Sequence, residues 1–153
     1  MLETITPQKS LLAILVIATA TIAGARIFQY AGYDPCHLCL MERWAYYAAI
    51  ALSLILLISK SNAKIGFYLL ALIMLASTVF GIYHSGVEWK WWPGPDTCTG
   101  GGALGGLPDL TKPVVMCDEA AIRILGLSLA GWNAVISFVL AIVALKGARA
   151  NAA

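Results

Sequence analysis

The chemistry in this sequence is concentrated in Cys36-His37-Leu38-Cys39 and in the Glu42-Arg43 that follows. Two cysteines three residues apart can close into a small disulfide ring and reopen, so the pair can carry two electrons. The thiolate is the reactive form, and a helix N-terminus or a neighbouring cation makes it easier to form. Both aids are expected here. Residues 40–59 read as a helix, which places Cys39 at its N-terminal end. Arg43, four residues on, falls on the same face one turn deeper. A simpler use for Arg43 is an interfacial anchor beside Trp44, but the C-x-x-C one turn away favours a role in a site.

Three further residues join the candidates. His84 closes another apolar run at the depth of Cys39; a lone histidine is more often a structural hydrogen-bonder than a ligand, so its depth is what recommends it. Cys98 and Cys117 lie in the long segment 85–124. Four cysteines allow three pairings, and Cys36–Cys39 with Cys98–Cys117 is the simplest of them. The second pair could be a static staple worth about 3 kcal/mol. Zinc is weakly supported, because the C-x-x-C has no second C-x-x-C to complete a four-sulfur site. A c-type haem is excluded, since Leu40 and not histidine follows Cys39.

The elements that must position these residues are apolar. Of the 153 residues, 60% are hydrophobic and 12% charged, and the mean hydropathy is +0.81, which is not the make-up of an ordinary water-soluble domain. Runs at 10–28, 40–59, 65–83 and 125–145 each approach the ~20 residues that a helix needs to cross a bilayer. The expected fold class is therefore all-α: a four-transmembrane-helix bundle, a single integral membrane domain over 1–153, with two outer loops carrying the cysteine pairs. The net charge of +2, with no basic cluster, gives no sign of nucleic-acid binding. Lys9 followed by an apolar run resembles a signal peptide ending near Ala25, but the run is longer than such peptides carry, and an uncleaved first helix is the better reading.

Lysine and arginine set the orientation. Lys9, the two lysines of 60–64, and Lys146 with Arg149 share one side if there are four spans, and the positive-inside rule makes that side cytoplasmic. The opposite side then holds 30–39 and 85–124, where Glu88, Asp96, Asp109, Asp118 and Glu119 outnumber Lys90, Lys112 and Arg123. All four cysteines fall there, where disulfides persist. Arg26 is expected to snorkel to the interface, and Tyr30, Tyr33 and the Trp89, Trp91 and Trp92 cluster to lie in the headgroup layer. Asp34-Pro35 should break the chain just before Cys36. The glycines of 100–106 should form a pliable loop without a stable helix. Asn133, in apolar surroundings, is expected to bond a neighbouring helix.

The Cys36-His37-Leu38-Cys39 pair with Glu42-Arg43, the four spans, the second spaced cysteine pair, and the run from Cys117-Asp118-Glu119 to Gly131-Trp132-Asn133 together resemble the DsbB family of bacterial inner-membrane thiol–quinone oxidoreductases. The resemblance extends from about Leu11 to Leu145. It implies that Cys98 accepts electrons from a periplasmic DsbA-like thioredoxin-fold protein through a mixed disulfide, and that Cys117 relays to Cys36. It implies that Cys39 attacks, or forms a charge-transfer complex with, a quinone (ubiquinone or menaquinone). Arg43 and His84, with Glu42, would stand beside that cofactor. The location implied is the bacterial cytoplasmic membrane, with both termini cytoplasmic and the cysteine loops periplasmic. The vitamin K epoxide reductase family shares the logic of helix bundle, quinone and C-x-x-C, but its extra helix and cysteine arrangement fit less well. A membrane protein with merely structural disulfides is the alternative outside enzymes, and it has no need of a C-x-x-C beside Arg43.

Overall fold

The computed structural model describes residues 6–59, 64–95, 98 and 115–150. Among them are four helices, each long and apolar enough to cross a membrane: α1 (Pro7–Tyr30), α2 (His37–Ile58), α3 (Lys64–Glu88) and α4 (Leu129–Ala150). The all-α, four-helix membrane fold expected from the apolar runs is the fold observed. A short antiparallel hairpin, β1 (Arg123–Ile124) and β2 (Leu127–Ser128), precedes α4. The glycine-rich segment and most of the second lysine-bearing link lie outside the described residues.

Local chemistry explains the helix ends, which differ from the apolar runs. Thr6 caps α1, its hydroxyl accepting from the Lys9 amide at 3.3 Å, and Pro7 occupies the first helical position, where its missing N–H costs nothing. Pro35 cannot continue a helix, so α2 starts immediately after it, at His37. Its cap is Cys36, whose sulfur accepts from the Cys39 amide at 3.2 Å. The helix expected over 40–59 thus begins three residues earlier, and Cys39 lies inside the first turn. Further on, α3 runs past Tyr83 to Glu88, so His84 sits within the helix and not at its end.

The helix expected over 125–145 begins instead at Leu129. Leu125 and Gly126 form the two-residue turn of the hairpin with φ of 53° and 84°. Two consecutive positive φ values are what a type I′ turn requires, and its twist matches that of the flanking strands. The Trp132 indole fastens the hairpin to α4 by donating to the Ile124 carbonyl at 2.9 Å.

In lipid, helices associate by close packing and interhelical hydrogen bonds, with little hydrophobic drive between them. The α3–α4 pair has the most extensive contact, and Gly81 is the reason it can be so close. A Cβ there would lie 2.9 Å from Asn133 Nδ2, 3.0 Å from the Ala134 amide nitrogen and 3.1 Å from the Ala130 carbonyl oxygen. The central core comprises Leu11 and Ile14 of α1, Tyr46 of α2, Phe67, Leu70 and Met74 of α3, and Leu140 of α4. A hydroxyl chain ties three helices together: Tyr46 Oη and Ser77 Oγ each lie 2.9 Å from Ser137 Oγ. Asn133, expected to bond a neighbouring helix, does so to α2, its main-chain carbonyl accepting from the Tyr46 hydroxyl at 3.5 Å and its side chain reaching Glu42, while its Oδ1 accepts from Ser137 of its own helix at 3.3 Å.

The aromatic and charged residues at the cysteine end, expected in the headgroup layer, make contacts within the protein. Arg26 donates to the Tyr47 hydroxyl at 3.2 Å. Trp92 folds back onto α3, donating to the Tyr83 carbonyl at 2.9 Å and stacking on the Tyr83 ring. The Lys90–Asp118 ion pair and the Arg123 guanidinium, 4.6 Å above the Trp89 ring, draw residues 117–123 onto the end of α3. The Lys90 ammonium holds the Asp118 carboxyl below the usual carboxylate range.

Candidate functional site

Both cysteine pairs meet at one end of the bundle. Cys98 and Cys117 form a disulfide, settling the pairing that the sequence left open. Both are buried in a cluster with Cys36 and Leu38, against which Cys39, Phe80 and Tyr83 pack. Cys36 and Cys39 are free thiols with their sulfurs 2.7 Å apart. The elements explain the gathering: Pro35 and the α2 cap fix Cys36, the first turn presents Cys39, and the contacts of residues 117–123 with α3 bring in the second pair.

The helix terminus acts on Cys36. As the cap of α2, its sulfur receives the Cys39 amide at 3.2 Å, where the partial positive charge of the helix favours an anion. The hydrogen bond from the Cys39 thiol holds the Cys36 thiol below its ordinary pKa, against the opposing effects of burial and of the Glu42 and Glu88 carboxylates. The expectation that the helix end would serve Cys39 rested on a helix beginning at residue 40; the observed cap shifts that aid three residues back.

His84 stands behind the pair. Its Nε2 lies 3.5 Å from Cys36 Sγ and its Nδ1 lies 2.9 Å from Glu42 Oε1. Cysteine, histidine and carboxylate thus form a chain in which the carboxylate fixes the ring and the ring faces the sulfur, the geometry of an activated nucleophile. Glu88, one turn further along α3, places Oε1 3.9 Å from His84 Nε2.

In front of the pair opens a cavity of about 380 Å³. Its walls are mainly apolar, from Ala20 to Phe28 of α1 and from Leu129 to Ile136 of α4, and Cys36, Cys39, Glu42, Arg43 and Asn133 all line it. His84 is not part of this lining, so it faces the sulfur and not the cavity. Arg43 is 8% exposed while Trp44 is 72% exposed. The two neighbours point to opposite surroundings, which does not fit a shared anchoring role. Arg43 Nη1 donates to Gln29 Oε1 at 2.9 Å.

Two participants escape a reading of the sequence alone. Gln29 looks like an ordinary polar residue at the end of α1, and nothing in its spacing points to Arg43. Glu88 did carry a signal: it follows His84 by four residues, one helical turn, but only if α3 continues past residue 83.

Sulfur redox chemistry inside a membrane frame is the class this arrangement defines: a multi-pass membrane thiol oxidoreductase of disulfide bond formation. The family model for disulfide bond formation protein DsbB matches residues 7–146, and the chain belongs to the DsbB family. It is also similar to a protein of Rickettsia prowazekii (strain Madrid E) described as uncharacterized protein RP370. The two are 29% identical over 140 residues, which cover 86% of this chain and 81% of the relative. No solved structure matches the chain.

Proposed function

We propose that the protein reoxidises a periplasmic thioredoxin-fold thiol oxidase of the DsbA kind and passes the electrons to a membrane quinone, ubiquinone or menaquinone. Its setting is the bacterial cytoplasmic membrane, with the cysteine end in the periplasm. The observation that carries this reading is the packing of both cysteine pairs into one cluster beside an apolar cavity that Arg43 also lines.

The cavity residues fit a quinone head group. The walls are apolar, Arg43 is a permanent cation, and Asn133 brings a buried side-chain amide to the lining. Both side chains carry N–H donors, and a quinone carbonyl is an acceptor of the right kind. When bound, a quinone supplies an acceptor for two electrons and two protons, the part it is known to play in the DsbA–DsbB–quinone system. Arg43 and Asn133 would hold its oxygens, and Cys39 would be the sulfur nearest to it in role.

The chain's own residues perform the exchange. The partner's thiolate attacks Cys98 Sγ, forming a mixed disulfide and releasing the Cys117 thiolate. The partner's second thiol then displaces Cys98 and leaves oxidised. With Cys36–Cys39 as a disulfide, Cys117 attacks Cys36 Sγ and Cys39 departs as thiolate. Cys98 then attacks Cys117, which restores the Cys98–Cys117 disulfide and leaves Cys36 and Cys39 reduced. His84 Nε2 is placed to take the proton from Cys36, and Glu42 holds the ring in the orientation that permits it.

Purified protein in lipid nanodiscs, mixed with quinone and a reduced thioredoxin-fold partner, should consume thiols and form quinol in equal two-electron amounts. Cys39→Ser should abolish quinol formation while a mixed disulfide at Cys98 stays trappable. Cys98→Ser should block exchange with the partner and leave Cys36–Cys39 oxidisable by quinone. Normal quinol formation by Cys39→Ser would show the roles to be wrongly assigned.

A further inference from the structure

The groups around the reduced pair are also a set of metal ligands. Cys36 Sγ, Cys39 Sγ and a ring nitrogen of His84 all lie within 4.8 Å of one another. Thiolate and imidazole bond lengths to zinc imply, for a tetrahedral ion, about 3.6 Å between a sulfur and a nitrogen ligand and about 3.8 Å between two sulfurs. Cys36 Sγ and His84 Nε2 are 3.5 Å apart and so stand at ligand spacing already. The two sulfurs, 2.7 Å apart, would have to open by about 1 Å, which a small rotation of the half-buried Cys39 side chain supplies.

Two independent features point to a cation at this place. The first is the hydrogen bond between His84 Nδ1 and Glu42 Oε1 at 2.9 Å. With the ring proton on Nδ1, this bond turns the Nε2 lone pair toward the sulfurs, the carboxylate–histidine arrangement that recurs behind metal-bound imidazoles. The second is Glu88. Its side chain is 6% exposed and its Oε1 is 3.9 Å from His84 Nε2, while its Oε2 is buried without a hydrogen-bond partner among the described residues. It lines the cavity with Cys36 and Cys39. A buried carboxylate oxygen with no partner is costly; Glu88 stands outside the set of Cys36, Cys39 and His84 atoms that lie within 4.8 Å of one another, and a bound cation would draw its carboxylate in as the fourth ligand.

We propose that Cys36, Cys39, His84 and Glu88 form a binding site for a thiophilic divalent cation of the zinc class, open only when the cysteine pair is reduced. Binding makes two metal–sulfur bonds and releases the two thiol protons to solvent; no electron moves. Closing the Cys36–Cys39 disulfide removes both thiolate ligands and with them the site. Occupancy therefore holds the pair reduced, and under the proposed function it excludes turnover. The binding itself does not depend on that function. The site differs from one built on two C-x-x-C pairs, since its other two ligands come from α3.

Cobalt(II) is a suitable probe because its thiolate complexes absorb in the near ultraviolet and its tetrahedral complexes in the visible. Anaerobic titration of the reduced full-length protein in detergent should show both bands saturating at one equivalent, with release of two protons. Oxidation of the pair should abolish them. His84→Ala and Glu88→Gln should each weaken binding by at least about tenfold, and Glu42→Gln by roughly 10- to 100-fold. Glu88→Gln is nearly isosteric, so it serves if His84→Ala loses its helical circular-dichroism signal. The absence of a thiolate band in the reduced protein would overturn the proposal. So would a band of undiminished intensity in Cys36→Ser, which would place the metal on Cys98 and Cys117, or affinities unchanged in both α3 variants. None of these readings requires quinone, so a failure here is distinct from a failure of the quinone assay.

Discussion

At the scale of single residues, Arg43 bears the sharpest expectation. It is a cation at the wall of the cavity, held to α1 by Gln29. Loss of one donor to developing negative charge commonly costs on the order of 3 kcal/mol, about a hundredfold in rate. Arg43→Ala should therefore lower quinone-dependent turnover by about two orders of magnitude, while the rate of mixed-disulfide formation at Cys98 stays near normal. Arg43→Lys keeps the charge but not the planar fork, and should fall between. Gln29→Leu leaves the cation unoriented and should cause a smaller loss in the same direction. An anchoring role predicts instead less folded protein with unchanged turnover per molecule, so kinetics normalised to folded protein decide between them.

At the scale of elements, α3, which carries His84 and Glu88, makes its most extensive contact with α4. Gly81 sits where α3 touches the α4 backbone, and two of the three nearest atoms to an added Cβ are backbone atoms that cannot move aside singly. Gly81→Val should destabilise the folded bundle by about 1–3 kcal/mol, as overpacking does, visible as a lower midpoint in thermal unfolding in detergent. Gly24 of α1 has nothing within 4 Å of an added Cβ, so Gly24→Ala should leave the midpoint unchanged or slightly raised. Equal losses in the two variants would show that the α3–α4 contact has no special standing.

At the scale of the whole molecule, the four helices place α1's C-terminus, α2's N-terminus, α3's C-terminus and the hairpin at one end, with both cysteine pairs. The proposed topology puts the opposite end, with its lysines, in the cytoplasm, following the positive-inside rule. After mild reduction of intact cells, a small membrane-impermeant thiol reagent should label Cys98 or Cys117 without permeabilisation. A single cysteine introduced within residues 60–63 of an otherwise cysteine-free chain should label only after it. The reverse pattern would invert the topology and remove the periplasmic partner from the proposal.

The sequence by itself determined the membrane class, the number of spans and the redox motif. Each of these rests on composition or local spacing: apolar runs near the span length and two cysteines three residues apart. Helix ends were less legible, because a run of hydropathy stops where polarity begins, whereas a helix stops where caps and turns let it. Pro35 and Cys36 therefore start α2 before the apolar run, and the two positive φ values at Leu125 and Gly126 delay α4. Only the tertiary structure decided that Cys98 pairs with Cys117, that Glu42 meets His84 across α2 and α3, that Gln29 holds Arg43, and that Glu88 approaches His84 and lines the cavity with the cysteines. The physical reason is that helices in lipid are chosen for one another by close packing and hydrogen bonding. The backbone approach at Gly81 and contacts such as that of Gln29 with Arg43 leave no periodic trace in the chain.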